Sequence, residues 1–126
     1  MDRNELSQAV IGAAIEVHRH LGPGLLESAY EAALAHQLRL DGLSISRQAM
    51  LAVTYKGIEL PDAYRMDLLV NDELVVEVKA VERLSPIHTA QLLTYLRLSG
   101  KPLGLLVNFN TKMLHQGVRR VVNSFI

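Results

Sequence analysis

The sequence predicts an α/β fold: a central mixed β-sheet flanked by helices on both faces. Three observations carry this. Two stretches with apolar residues at helical spacing come first, and the second stops at Asp41-Gly42. A period of two then takes over, giving three or four strands in a meander between residues 45 and 81. Finally, a helical segment separates that meander from a nearly all-apolar strand, and such a crossover joins parallel neighbours in one sheet.

Each element has a local cause. Leu6, Val10, Ala13, Ala14, Val17 and Leu21 recur at helical spacing, so a helix is expected from Asn4, as N-cap, to Leu21, with Gly22-Pro23-Gly24 as its stop. Leu26, Ala29, Tyr30, Ala33, Leu34 and Leu38 form the stripe of a second helix over residues 25–41, ended by Gly42. Residues 45–55 alternate as a strand, Lys56-Gly57 is a turn, and Ile58–Leu60 begins a return that Pro61-Asp62 interrupts. Strands follow at 64–70 and 74–81, joined by Asn71-Asp72-Glu73. Ser85-Pro86 starts a helix that ends at Gly100. Residues 102–108 read as a strand buried on both faces, and 117–122 as a last strand. The expected order is α-α-β-β-β-α-β-β, in a single domain over residues 1–126.

Composition narrows the function. A chain of 126 residues is long enough for one core. Thirteen Lys and Arg balance thirteen Asp and Glu, so a broad basic field is excluded and any nucleic-acid contact is local. The absence of Cys excludes disulfides, zinc fingers and thiol catalysis. Four Tyr, two Phe and no Trp argue against an aromatic platform for single strands. No apolar run reaches the ~20 residues of a membrane span. The N-terminus lacks the order of a signal peptide, so a cytoplasmic location is expected.

The hairpin at residues 64–81 carries the chemistry. Tyr64, Met66, Leu68 and Val70 are expected on one face, with Arg65, Asp67 and Leu69 on the other. Matching the apolar faces pairs Val70 with Leu74, Leu68 with Val76 and Met66 with Val78. That register sets Asp67 opposite Glu77 and Arg65 opposite Lys79. Two carboxylates within roughly 5 Å need a shared proton or a cation between them, and Mg²⁺ or Mn²⁺ suits such hard oxygen ligands. A solvated checkerboard of diagonal charge pairs accounts for the same pattern.

Asp67 followed by Glu77-Val78-Lys79 resembles the PD-(D/E)XK nuclease signature. Gly24-Leu25-Leu26-Glu27-Ser28-Ala29-Tyr30 is similar to the motif of the GxxExxY protein family. Gln91-Leu92-Leu93-Thr94-Tyr95 resembles the QxxxY motif of RecB-like and Cas4-like nucleases. Met66 stands where the nominal motif has Pro. His18 and His20 lie on the first helix and do not form the His motif that precedes the sheet in RecB-like enzymes; the Glu27 element stands in its place. The resemblance implies a restriction-endonuclease-like fold and a metal-dependent nuclease acting on DNA, less readily on RNA. It implies Glu27 as the acidic residue before the sheet, with Asp67, Glu77 and the Val78 carbonyl as metal ligands. It also implies Lys79 as the catalytic lysine, Gln91 as a further catalytic residue, and Tyr30 and Tyr95 as residues lining the site.

The alternatives are a catalytically silent module on the same fold that binds nucleic acid or protein, and an assembly protein. A homodimer would supply a groove. Arg47, Arg65, Arg83 and Arg97 would form a modest basic rim. Arg119 and Arg120 are adjacent on one strand, so at most one of them joins any given patch.

Overall fold

The computed structural model describes residues 1–124. Its elements are α1 (Arg3–Leu21), α2 (Glu27–Leu40), β1 (Ile45–Tyr55), β2 (Ile58–Val70), β3 (Leu74–Lys79), α3 (Pro86–Ser99), β4 (Leu103–Asn108), a short 3-10 turn (Leu114–Gly117) and β5 (Val118–Val122). This is the expected order. The strands form one sheet in the order β1-β2-β3-β4-β5, parallel between β3 and β4 and antiparallel elsewhere.

Each face of the sheet has its own core. Leu6, Val10, Ala14 and Val17 of α1 and Tyr30, Leu34 and Leu38 of α2 pack on Leu74, Val76 and Val78 of β3 and Leu103, Leu105 and Val107 of β4. On the opposite face, Leu92 and Leu96 of α3 cover Val75, Leu106 and Val121. β4 is buried along its whole length, as its unbroken apolar run requires. Gly104 lets α3 close down: a Cβ there would meet the Leu92 side chain at 2.9 Å.

Several boundaries differ from expectation for identifiable reasons. Asp2, not Asn4, caps α1, through a capping box in which the Glu5 N–H donates to Asp2 Oδ1 at 2.8 Å. Asn4 instead accepts from the Arg120 guanidinium at 2.8 Å. α2 begins at Glu27 rather than residue 25, because the Leu25 N–H is taken by the Tyr30 hydroxyl at 3.1 Å. β3 stops at Lys79, and the Val81 N–H and C=O bond the Asn108 side chain instead. β2 runs unbroken through Pro61-Asp62. A register shift between Leu51 and Val53 and a left-handed Asp62 (φ 59°) absorb the irregularity.

The larger correction concerns the faces of β2. Leu68 and Val70 pack under α1 and α2, whereas Met66 packs under α3 with Tyr64 beside it. The strand therefore changes faces at Asp67. On β1 the neighbouring irregularity is Gln48, in the left-handed region at φ 51°. Met66 accordingly does not pair with Val78. Backbone pairing of β2 with β3 covers Leu68–Val76, Leu69–Val75 and Val70–Leu74, so Arg65 is not a register partner of Lys79.

Candidate active site

Where the β2–β3 ladder ends, the Asp67 side chain takes over. Its Oδ2 accepts the Val78 N–H at 2.8 Å. In a strand, the N–H and C=O of one residue point to the same neighbour, and those of the next residue point to the other. The Lys79 carbonyl bonds Phe109 across β4 at 2.9 Å, so the Val78 carbonyl is directed toward β2 and Asp67. Glu77 is 6% exposed, on the α3 face with Val75. Burial first, and then the negative charge of Asp67, push its carboxyl up to about 9. At neutral pH the pair therefore carries a proton. Asp67 and Glu77 do converge, as the register requires.

Lys79 is half-buried and makes no ion pair among the described residues, so it is not a surface salt bridge. Its positive charge acts on Glu77, lowering that carboxyl against the larger effects. Glu27, the first residue of α2, reaches across to accept the Ala80 N–H at 3.2 Å, one residue beyond Lys79. Tyr95 of α3 stacks on Tyr64 with ring centroids 3.3 Å apart. Burial, then the charges of Glu77 and Asp67, push the Tyr95 phenol upward, so its ring borders the carboxylates. Gln91 is exposed on α3. Tyr30 packs in the core. It is fully buried, stacks on Phe109 at 4.5 Å, and donates its hydroxyl to the Gly22 carbonyl at 2.5 Å. It fixes the loop that delivers Glu27.

Three features escaped the sequence. Tyr64 is clasped to α3 by its stack on Tyr95, and its buried hydroxyl has no hydrogen-bond partner. Buried Glu31 on α2 binds Arg47 and Gln48 at 2.7–3.2 Å, which anchors β1 beside its left-handed residue. Asn108, the register partner of Lys79, ties β4 to the segment after β3. A lone polar residue closing an all-apolar strand was the available signal for Asn108.

A family model for the PD-(D/E)XK nuclease superfamily matches residues 4–121. The chain belongs to this superfamily. Comparison with curated proteins and with solved structures returned no match. As a PD-(D/E)XK protein it has the restriction-endonuclease-like architecture, and its superfamily implies a nucleic-acid substrate and divalent metal ions.

The residues present fit such an ion. Glu77 Oε1 is buried without a hydrogen-bond partner, an acceptor left open beside a second carboxylate. No group of three or more His, Cys, Asp or Glu among the described residues could hold a metal. Mg²⁺ needs no such cage, since it binds through one or two carboxylates and retains water. The larger surface clefts, one lined by Arg3, Glu73 and Arg120 and another by His18, Lys112 and Met113, include none of these residues. No helix among the described residues is long and apolar enough to cross a membrane.

Proposed function

We propose that this PD-(D/E)XK protein is a cytoplasmic nuclease of the GxxExxY type, one domain over residues 1–126, that hydrolyses phosphodiester bonds in DNA with Mg²⁺ or Mn²⁺. One observation carries the reading: the Asp67 and Glu77 carboxylates meet where the ladder ends, beside a lysine that has no ion pair. Asp67, Glu77 and the Val78 carbonyl would hold the ion. A bound divalent ion neutralises phosphoryl charge and activates water.

The chain's own groups do the rest. Glu77, which keeps the proton of the pair in the metal-free protein, would release it to solvent in order to serve as a ligand. The Lys79 ammonium, on the same strand face two residues on, donates to the scissile phosphate. Glu27 positions that lysine by fixing the Ala80 N–H. Gln91 and Tyr95 line the α3 side of the substrate.

The test is cleavage of plasmid and oligonucleotide DNA and RNA with Mg²⁺ or Mn²⁺. Asp67→Ala and Lys79→Ala should each lower the rate at least about 100-fold, the scale of losing one transition-state donor. Residual activity equal in wild type and both variants overturns the reading.

A further inference from the structure

We infer that a small cavity next to Lys79 is a second phosphate-binding subsite, which grips a backbone phosphate of the strand adjoining the scissile one. The inference rests on the nuclease reading and adds a site to it. The cavity has a volume of about 120 Å³. That is the space of about four waters, enough for a phosphate group. Arg83, Asn108, Thr111, Gln116 and Arg119 line it, with Glu82, Leu84 and Gly117 completing the wall.

The sheet places this cavity in line with the acidic pair. Glu77 pairs with Leu106 on β4, and Leu106 pairs with Arg119 on β5. Paired residues point to the same sheet face, so Arg119 emerges on the face of Glu77, two strands away and about 10 Å across the backbone. Arg120 points to the other face, where Asn4 holds it. Arg83 approaches from the segment that continues β3 beyond Lys79. Asn108 fixes that segment by bonding the Val81 N–H at 3.1 Å and its C=O at 2.9 Å.

The floor is built and satisfied. Asn108 Oδ1 also accepts the Asn110 N–H at 3.2 Å, and the Thr111 hydroxyl donates to the Asn108 carbonyl at 3.3 Å. A Cβ at Gly117 would collide with that same carbonyl. The 3-10 turn therefore sits as close to β4 as a glycine allows.

The two guanidinium groups are what remains open. Arg3, Arg19 and Arg47 each have a carboxylate partner. Arg83 and Arg119 have neither an ion pair nor a hydrogen bond among the described residues. In a chain with no net charge, two unpaired arginines facing one cavity beside the site are a local answer to a polyanion. Planar guanidinium forks suit phosphate oxygens.

The experiment is a salt titration of binding to a fluorescent 20-mer, single-stranded and duplex, in EDTA so that nothing is cut. It compares wild type, the Arg83→Ala/Arg119→Ala double variant, and Arg19→Ala/Arg39→Ala, on α1 and α2, as a variant of equal charge. The double variant should bind at least about tenfold more weakly, with a salt slope lower by about 1–2, while the charge control keeps the wild-type slope. Its melting temperature and its Mn²⁺ affinity by calorimetry should match wild type. A slope unchanged from wild type overturns the subsite and leaves the nuclease reading standing. Wild type that neither binds the oligonucleotide nor cuts DNA or RNA overturns both. Inorganic phosphate is the other arm. If it raises the melting temperature through these two arginines while oligonucleotide binding ignores them, the cavity holds a free anion and the assignment to a strand falls.

Discussion

Replacing Glu77 by Gln should remove most of the pH dependence of stability in metal-free protein. The Glu77 carboxyl titrates at about 9 in the folded chain against an ordinary 4.5. Between those values the folded state keeps a proton that the unfolded chain has released. Stability is therefore complete below about pH 4.5 and declines as pH rises toward 9. At about 1.36 kcal/mol per pH unit, the roughly 3.5 units between pH 4.5 and 8 amount to about 5 kcal/mol. This is an upper figure, because the proton belongs to the Asp67–Glu77 pair rather than to one oxygen. For a chain of this length a kcal/mol is worth about 4 °C, so the melting temperature should fall between pH 5 and 8, by at most about 16 °C. The assay is thermal unfolding by circular dichroism in EDTA across that range, for wild type and Glu77→Gln. If Asp67 and Glu77 hold Mg²⁺ as proposed, millimolar Mg²⁺ should displace the proton and at pH 8 recover most of the lost stability in wild type. A wild-type midpoint constant to within about 3 °C, or a variant that keeps the wild-type slope, refutes the account of the pair.

Tyr64→Phe should leave the protein at least as stable as wild type and up to about 1 kcal/mol more so, because the hydroxyl it removes is buried without a partner; urea unfolding in EDTA reads this. Tyr30→Phe should cost about 1–2 kcal/mol, since its hydroxyl bridges the Gly22 carbonyl and the Leu25 N–H. It should also speed amide exchange at Leu25, measured by NMR. Gly117→Ala should destabilise by about 1–3 kcal/mol, because the added methyl group meets backbone rather than a movable side chain; the thermal midpoint checks it.

Much of the site was legible because period-two register is a strong constraint. Matching apolar faces in two short segments brought Asp67 to Glu77, and the three ladder pairs from Val70–Leu74 to Leu68–Val76 follow that register. The same reasoning failed one pair further on. It assumed that Met66 continues the face of Leu68, but the chain changes faces at Asp67, and Gln48 opposite takes a left-handed conformation that no residue type announces. The helices were legible from their stripes, and α3 begins at Pro86 behind its Ser85 cap as expected, while the first residues of α1 and α2 were not legible. Asp2 outcompeted Asn4 because Glu5 completes its capping box, and Leu25 left α2 because a tyrosine five residues on claimed its N–H. Tyr30 was legible as a core residue at helical spacing, while its second task, anchoring the loop before Glu27 through the Gly22 carbonyl, was not.

The β1–β2 hairpin extends past the last residue that β3 pairs, and its outer part exposes Tyr55, Ile58 and Leu60. A two-stranded ribbon without a third strand is only marginally stable. Fraying should start at the Lys56-Gly57 tip and run inward until the Tyr64–Tyr95 stack clasps the ribbon to α3. That clasp borders Asp67 and Glu77, so the acidic pair lies at the seam between the part of the molecule that breathes and the part that stays shut.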